Sequence, residues 1–213
     1  MKAAGAILLA YGLGSCLFAA VVGRIVGRDL RREGSGNLGA SNVQRVLGLG
    51  PGLVVFVLDG AKGAAAAAGA LALGLGDVAA SACAFAAVLG HCAPFWNPRA
   101  GGKGASTGAF ATCVLAPLAG AVALCSALML RVTTKKASLG TLGGAGAALL
   151  AAGVGVGVGA LSASRFGGLA AIAVLIAWRH RGNIARLRRG EELGATGGSS
   201  DGSAEGRAKG TDG

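Results

Sequence analysis

The 26 residues from Ala105 to Leu130 carry no charge, and other stretches of the chain are nearly as bare. Ala3 to Val22 is uncharged for 20 residues, and the 42 residues 137–178 hold one charge, Arg165. A helix facing water must show a polar side at its own period. Runs this long and uniform belong in lipid, where about 20 apolar residues cross the hydrocarbon core. Charged residues are 14 % of the 213-residue chain, against about 25 % in soluble domains. The 41 glycines follow no collagen period and suit helices that approach closely through small residues.

The expected fold is therefore all-α, a polytopic membrane bundle of about seven transmembrane helices over residues 1–193. A Gly/Ser/Asp tail follows over 194–213, with the composition of disorder. Gly153 to Gly159 alternates Gly and Val, but an open strand in lipid would leave its backbone unpaired, so a helix is expected there. The five cysteines are odd in number, lack C-x-x-C spacing and read as small buried residues. No metal-ligand spacing occurs.

The net charge of +11 would suggest nucleic acid on a soluble protein. Here 15 of the 20 Lys and Arg fall in four loops, 24–45, 99–103, 131–136 and 179–189, as expected of cytoplasmic loops. If all four face one side, every segment between them crosses an even number of times. Residues 46–95 then turn at Asp77, and 137–178 turn near Gly159 to Arg165. Residues 105–130 form two short spans broken at Pro117. The N-terminus lies outside and the C-terminus in the cytoplasm. The alternative is a single span over 105–130.

Three polar clusters then share a face. Gly34-Ser-Gly-Asn-Leu-Gly39 matches G-x-G-x-x-G by letter only, since no strand precedes it. Its glycines still let backbone N–H groups reach an anion ahead of a helix, with Ser35, Asn37, Asn42 and Arg45 as further donors. Gly101-Gly102-Lys103-Gly104 opens an apolar helix, with Thr107 in its first turn and His91 just upstream. It resembles a phosphate cradle, but Gly104 follows the lysine where a Walker A needs Ser or Thr. The third cluster is the basic run from Arg179, containing His180, Asn183 and Arg186. Asp59 and Lys62, three residues apart inside an apolar span, are expected to form a structural ion pair. This inventory suits phosphate binding beside a bilayer. An enzyme and a transporter for a small organic phosphate both remain open, and an NTPase is not expected.

The motifs resemble those of the bacterial acyl-phosphate:glycerol-3-phosphate acyltransferases, in order and over about residues 11–192. The first is Gly34 to Asn42 with Arg45, followed by Asp59-Gly-Ala-Lys-Gly63. The second is Gly90-His91 with Pro94, then Gly101 to Gly104 and Thr107. The third is Arg179 to Gly190 with Glu192. Ser41 stands where Thr is usual, and Leu17, Arg99 and Gly182 also depart from the pattern. The resemblance implies transfer of a fatty acyl group from acyl phosphate to the 1-hydroxyl of glycerol 3-phosphate, giving lysophosphatidic acid and phosphate. It implies a multi-pass protein of the bacterial plasma membrane with its active site on the cytoplasmic face.

On that reading His91, Lys103, Ser35 and Arg45 are the expected catalytic residues. Gly34, Gly36, Asn37, Asn42, Gly101, Gly102, Gly104, Thr107, His180, Asn183 and Arg186 are expected to bind substrate. His91 and the substrate's own phosphate are rival bases. The acyl chain is expected in a groove between spans. No cofactor, metal or nucleic acid is expected, and the chain is expected to act as a monomer among membrane lipids.

Overall fold

The computed structural model describes residues 1–194, so the expected disordered tail lies, Gly194 apart, outside the described residues. Ten helices form: α1 (Lys2–Gly14), α2 (Phe18–Ile25), α3 (Ala40–Leu47), α4 (Leu49–Ala72), α5 (Gly76–Cys92), α6 (Ala105–Leu115), α7 (Pro117–Thr134), α8 (Ala137–Gly157), α9 (Ala163–Arg179) and α10 (Arg181–Arg189). No strand occurs among the described residues, and the Gly-Val alternation lies within α8 up to Gly157. Four segments are long and apolar enough to cross a bilayer: α1 with α2, α4, α7 and α8. Helices α5 and α9 have 17 residues each and α6 has 11.

The uncharged run over 3–22 reads as one span, but the structure breaks it at Ser15 to Leu17. The break frees carbonyls that a continuous helix would use internally. Trp96 Nε1 donates to the Ser15 carbonyl at 2.9 Å and Lys62 Nζ to that of Cys16 at 2.7 Å. Ser15 Oγ turns back to the Tyr11 carbonyl at 2.9 Å. The interruption thus anchors two later parts of the chain.

Small residues set the helix spacing. A Cβ added to Gly14 would lie 2.1 Å from the Ala87 carbonyl oxygen, one on Gly63 2.1 Å from that of Thr107, and one on Gly144 2.6 Å from that of Ala123. These contacts seat α1 on α5, α4 on α6 and α7 on α8. Between lipid-exposed helices such close packing replaces the hydrophobic drive that water would supply.

Helix α6 ends at Ala116, and Pro117 starts α7 at its first position, where a missing N–H costs nothing. The chain doubles back there, since a Cβ on Gly120 would lie 2.5 Å from Cys113 Cα. At one end of α6, the Leu115 carbonyl accepts from Arg165 at 3.0 Å, and Arg165 pairs with Asp77 at 2.8 Å. At the other end of α7, Arg131 donates to Ser41 at 3.2 Å and to Gln44. Residues 34–47, 91–104, 131–138 and 179–194 consequently gather at one end of the bundle.

Candidate active site

The first glycine loop is shaped from inside by Asn42. Its Oδ1 accepts from the Ser35 amide at 2.7 Å and the Ser35 hydroxyl at 3.0 Å. Its Nδ2 donates to the carbonyls of Leu30 at 3.0 Å and Glu33 at 3.1 Å. All four hydrogen-bonding positions of the amide are used, so Asn42 builds the loop and offers no free group to a ligand. Gly34, at φ +59°, sits so tightly against Asn42 that a Cβ would lie 2.4 Å from its Oδ1. Ser35 and Asn37 line the space above. The Arg45 guanidinium lines the same space and donates to the Gly194 carbonyl at 2.7 and 3.2 Å.

The second loop is seated on α5 and α9. The Gly102 amide donates to the His91 carbonyl at 2.9 Å. Arg179 donates to the carbonyls of Gly102 at 3.1 Å and Gly101 at 3.2 Å. Gly104 caps α6 at φ +78°, the left-handed region that favours glycine. Lys103 then reaches Asn183 Oδ1 at 2.5 Å. Thr107 does not join this group: its hydroxyl is buried without a partner, its backbone packs on Gly63, and Ser106 lines the cavity in its place.

The third cluster is held by Glu192. Its Oε1 accepts from Asn183 at 2.6 Å and Ser138 at 2.7 Å, and its Oε2 from Arg186 Nε at 3.0 Å. Burial opposes ionisation of Glu192, but the bonds from Ser138, Asn183 and Arg186 outweigh it and hold the carboxyl below its usual range. His180 Nδ1 lies 2.8 Å from the Ile176 carbonyl. A carbonyl only accepts, so Nδ1 carries the proton and Nε2 keeps a lone pair. Burial first, with nearby Lys103 and Arg179, pushes His180 down to about 4. Burial, reinforced by Arg186 and opposed by Glu192, pushes Lys103 down to about 8.

Beneath the second loop lie Asp59, Lys62 and His91, at 0 %, 3 % and 2 % exposure. Lys62 Nζ donates to Asp59 Oδ1 at 2.8 Å, so the expected ion pair forms, and Nζ also lies 2.9 Å from His91 Nδ1. His91 therefore joins the pair's network through Nδ1, while its Nε2 faces Gly102 of the second loop.

Two cavities meet above these residues. One, of about 620 Å³, is lined by Arg99, Lys103, Arg179, Arg181 and Arg186 and by Gly34, Gly36, Gly101 and Gly182, with no acidic residue in its wall among the described residues. The other, of about 390 Å³, starts at Arg45, His91, His180 and Glu192. It runs down an apolar cleft between α4, α6, α7, α8 and α9, past Phe56, Leu124, Ala145 and Ile172. Ser35, Asn37, Lys103, Asn183 and Arg186 line both. The first suits a small water-soluble phosphate and the second a phosphate or carboxylate with a long apolar tail.

Ser35, Asn37, Arg45, Gly104, His180, Asn183 and Arg186 come together as the spacing suggests. Glu192, Ser138 and Arg179 were not among the expected site residues. Ser138 gives no local signal, because only the fold brings it to Glu192. The basic residues around Arg179 read as a topology signal, although Glu192 lies in the third motif.

Residues 4–190 match a family model described as glycerol-3-phosphate acyltransferase. The chain is 43 % identical over 195 residues to a glycerol-3-phosphate acyltransferase of Anaeromyxobacter dehalogenans strain 2CP-C, covering 88 % of this chain and 96 % of that one. It is 38 % identical over 194 residues to one from Synechococcus elongatus, covering 87 % and 90 %. Among solved structures it resembles the glycerol 3-phosphate form of PlsY (YgiH), an integral membrane glycerol 3-phosphate acyltransferase. The TM-score is 0.83 at 32 % identity, covering 91 % of this chain and 96 % of that one. The lysophosphatidic acid form of the same protein gives a TM-score of 0.82 at 31 % identity, covering 91 % and 95 %.

Proposed function

The chain belongs to the glycerol-3-phosphate acyltransferase family, and from that premise we propose how its two cavities share the reaction. The protein is an integral membrane enzyme that acylates glycerol 3-phosphate to lysophosphatidic acid. In our reading glycerol 3-phosphate occupies the basic cavity. A fatty acyl phosphate occupies the cleft, with its phosphate at Lys103. The observation that carries this reading is the junction of the two cavities at Ser35, Asn37, Lys103, Asn183 and Arg186.

The glycerol 1-hydroxyl oxygen attacks the acyl carbonyl carbon. The new ester C–O bond forms, the bond from that carbon to the phosphate oxygen breaks, and phosphate leaves with the electron pair. Lys103 and Arg186 take up charge on the leaving phosphate, and the loop amides of Lys103 and Gly104 add donors, that of Gly102 being committed to the His91 carbonyl. Holding both reactants at one junction is worth about 7 to 11 kcal/mol of barrier.

The hydroxyl proton goes to a phosphate oxygen. Glu192 is committed to three donors, and a histidine held near 4 is a weak base at neutral pH. The free lone pair of His180 accepts instead from the neighbouring 2-hydroxyl of the glycerol, which orients the substrate and leaves the 1-hydroxyl proton to the phosphate oxygen.

Seven crossings accommodate the helices, counting α1 with α2 as one and α4 to α9 singly. The gathering of the basic loops at one end supports a cytoplasmic site, an outside N-terminus and a bacterial plasma membrane. A single chain supplies both cavities, which supports action as a monomer.

The test is phosphate release in lipid vesicles supplied with palmitoyl phosphate and glycerol 3-phosphate. Lys103→Ala and palmitoyl-CoA serve as controls. Release that requires both substrates and disappears in the variant is expected. Equal turnover with palmitoyl-CoA would refute the choice of donor.

A further inference from the structure

The Asp59–Lys62–His91 cluster is more deeply buried than an ion pair needs to be; Asp59 Oδ2 is buried without a partner, but the protons of the Lys62 ammonium are all accounted for. A lysine ammonium has three protons. Those of Lys62 have three acceptors in reach: the Cys16 carbonyl at 2.7 Å, Asp59 Oδ1 at 2.8 Å and His91 Nδ1 at 2.9 Å. Nδ1 also lies 3.5 Å from Asp59 Oδ1, a longer approach than that of the ammonium. For Nδ1 to accept from Lys62 it must be bare, and the ring proton of a neutral histidine then sits on Nε2.

That nitrogen has no protein partner among the described residues, although His91 is 2 % exposed and lines the apolar-tailed cavity. It rests against Gly102, where a Cβ would lie 2.1 Å away, one residue before Lys103. The carbonyls of Gly101 and Gly102 are held by Arg179, so the loop keeps this approach fixed.

We propose that Lys62, oriented by Asp59 and the Cys16 carbonyl, locks His91 as the Nε2–H tautomer, so that His91 is a hydrogen-bond donor at the head of the acyl cavity. Lys62 and Asp59 are then positioning residues for the reaction. Given the acyl transfer described above, the acceptor is the acyl carbonyl oxygen, which gains negative charge as the glycerol oxygen attacks. The same hydrogen count excludes His91 as the base, since its only free ring nitrogen already holds a proton. The two histidines of the chain thus present opposite faces to the cavity, a donor at His91 and an acceptor at His180.

Nitrogen NMR of histidine-labelled wild-type protein in lipid reads the tautomer directly. With only two histidines, His91→Gln assigns the signals. The expected spectrum shows Nε2–H for His91 and Nδ1–H for His180, and Lys62→Met turns the His91 signal into a mixture. Loss of one such donor is expected to lower kcat by about 100-fold in His91→Phe. His91→Gln, which keeps an N–H, should recover much of that, and Lys62→Met should lower kcat while leaving KM for glycerol 3-phosphate nearly unchanged. A His91 protonated at Nδ1 in the wild type overturns the proposal whatever the variants do. So does a folded His91→Phe with the wild-type rate. An Nε2–H spectrum in a protein that transfers no acyl group would instead refute the acyl-transfer reading and leave the tautomer standing.

Discussion

Lys103 is the residue whose charge state most directly controls the proposed reaction, and the structure puts its titration inside an accessible range. Burial, with Arg186, Arg179 and Arg45 adding to it and Glu192 opposing, brings it from 10.5 to about 8. The protonated form is the one that attracts phosphate, so the free enzyme loses activity as pH rises through about 8. Each further pH unit should cost about tenfold in kcat/KM, a slope of −1 on a logarithmic plot. The phosphate of glycerol 3-phosphate takes its second charge near pH 6, which places an independent ascending limb on the acid side. A bound phosphate dianion favours the ammonium, so the descending limb of kcat should lie above that of kcat/KM. The assay is phosphate release against pH at saturating acyl donor, for the wild type and Lys103→Arg. Arginine stays charged above pH 12, so the variant, though slower, should keep a flat profile past pH 8. Retention of the same descending limb in Lys103→Arg would show that another group titrates and that this account of Lys103 is wrong.

Three other outcomes follow from the packing. Asp59→Ala leaves the Lys62 ammonium buried with its carboxylate gone, and should lower stability by about 3 to 5 kcal/mol. Thermal unfolding in detergent checks this, and adding Lys62→Met should recover part of the loss. Gly63→Leu has no space for its side chain against the Thr107 carbonyl and should prevent a folded, monodisperse protein, measured by size-exclusion profile, whereas Gly69→Leu meets nothing within 4 Å and should be tolerated. Ala145→Phe projects into the acyl cleft and should depress turnover of palmitoyl phosphate far more than that of a short-chain acyl phosphate, with KM for glycerol 3-phosphate unchanged.

The helices that cross the bundle were legible because lack of charge is a property of each residue on its own. The reversal at Ala116 was legible only through the charge of the loops around it, since Pro117 alone serves a kink as well as a turn. The break at Ser15 to Leu17 was not. No glycine or proline occupies positions 15–17, and the bonds that reward it come from Lys62 and Trp96, 46 and 81 residues away. The site divides in the same way. Ser35, Asn37, Lys103 and Asn183 sit in local motifs whose chemistry can be read from residue type. Asn42 looks like a ligand and is a brace, and Thr107 looks like a hydroxyl donor and faces α4. Each depends on a side-chain direction that sequence leaves open. Glu192 depends on three donors spread over residues 138 to 186.

The meeting of a basic cavity with an apolar cleft has a kinetic corollary. One reactant arrives from three dimensions and the other from two. The rate at fixed enzyme should track the molarity of glycerol 3-phosphate but the mole fraction of acyl donor among lipids. Adding inert phospholipid to the vesicles, with no change in total donor, should slow the enzyme as though substrate had been removed. Growth of the membrane by its own product line would thus dilute the donor and restrain the enzyme that feeds it.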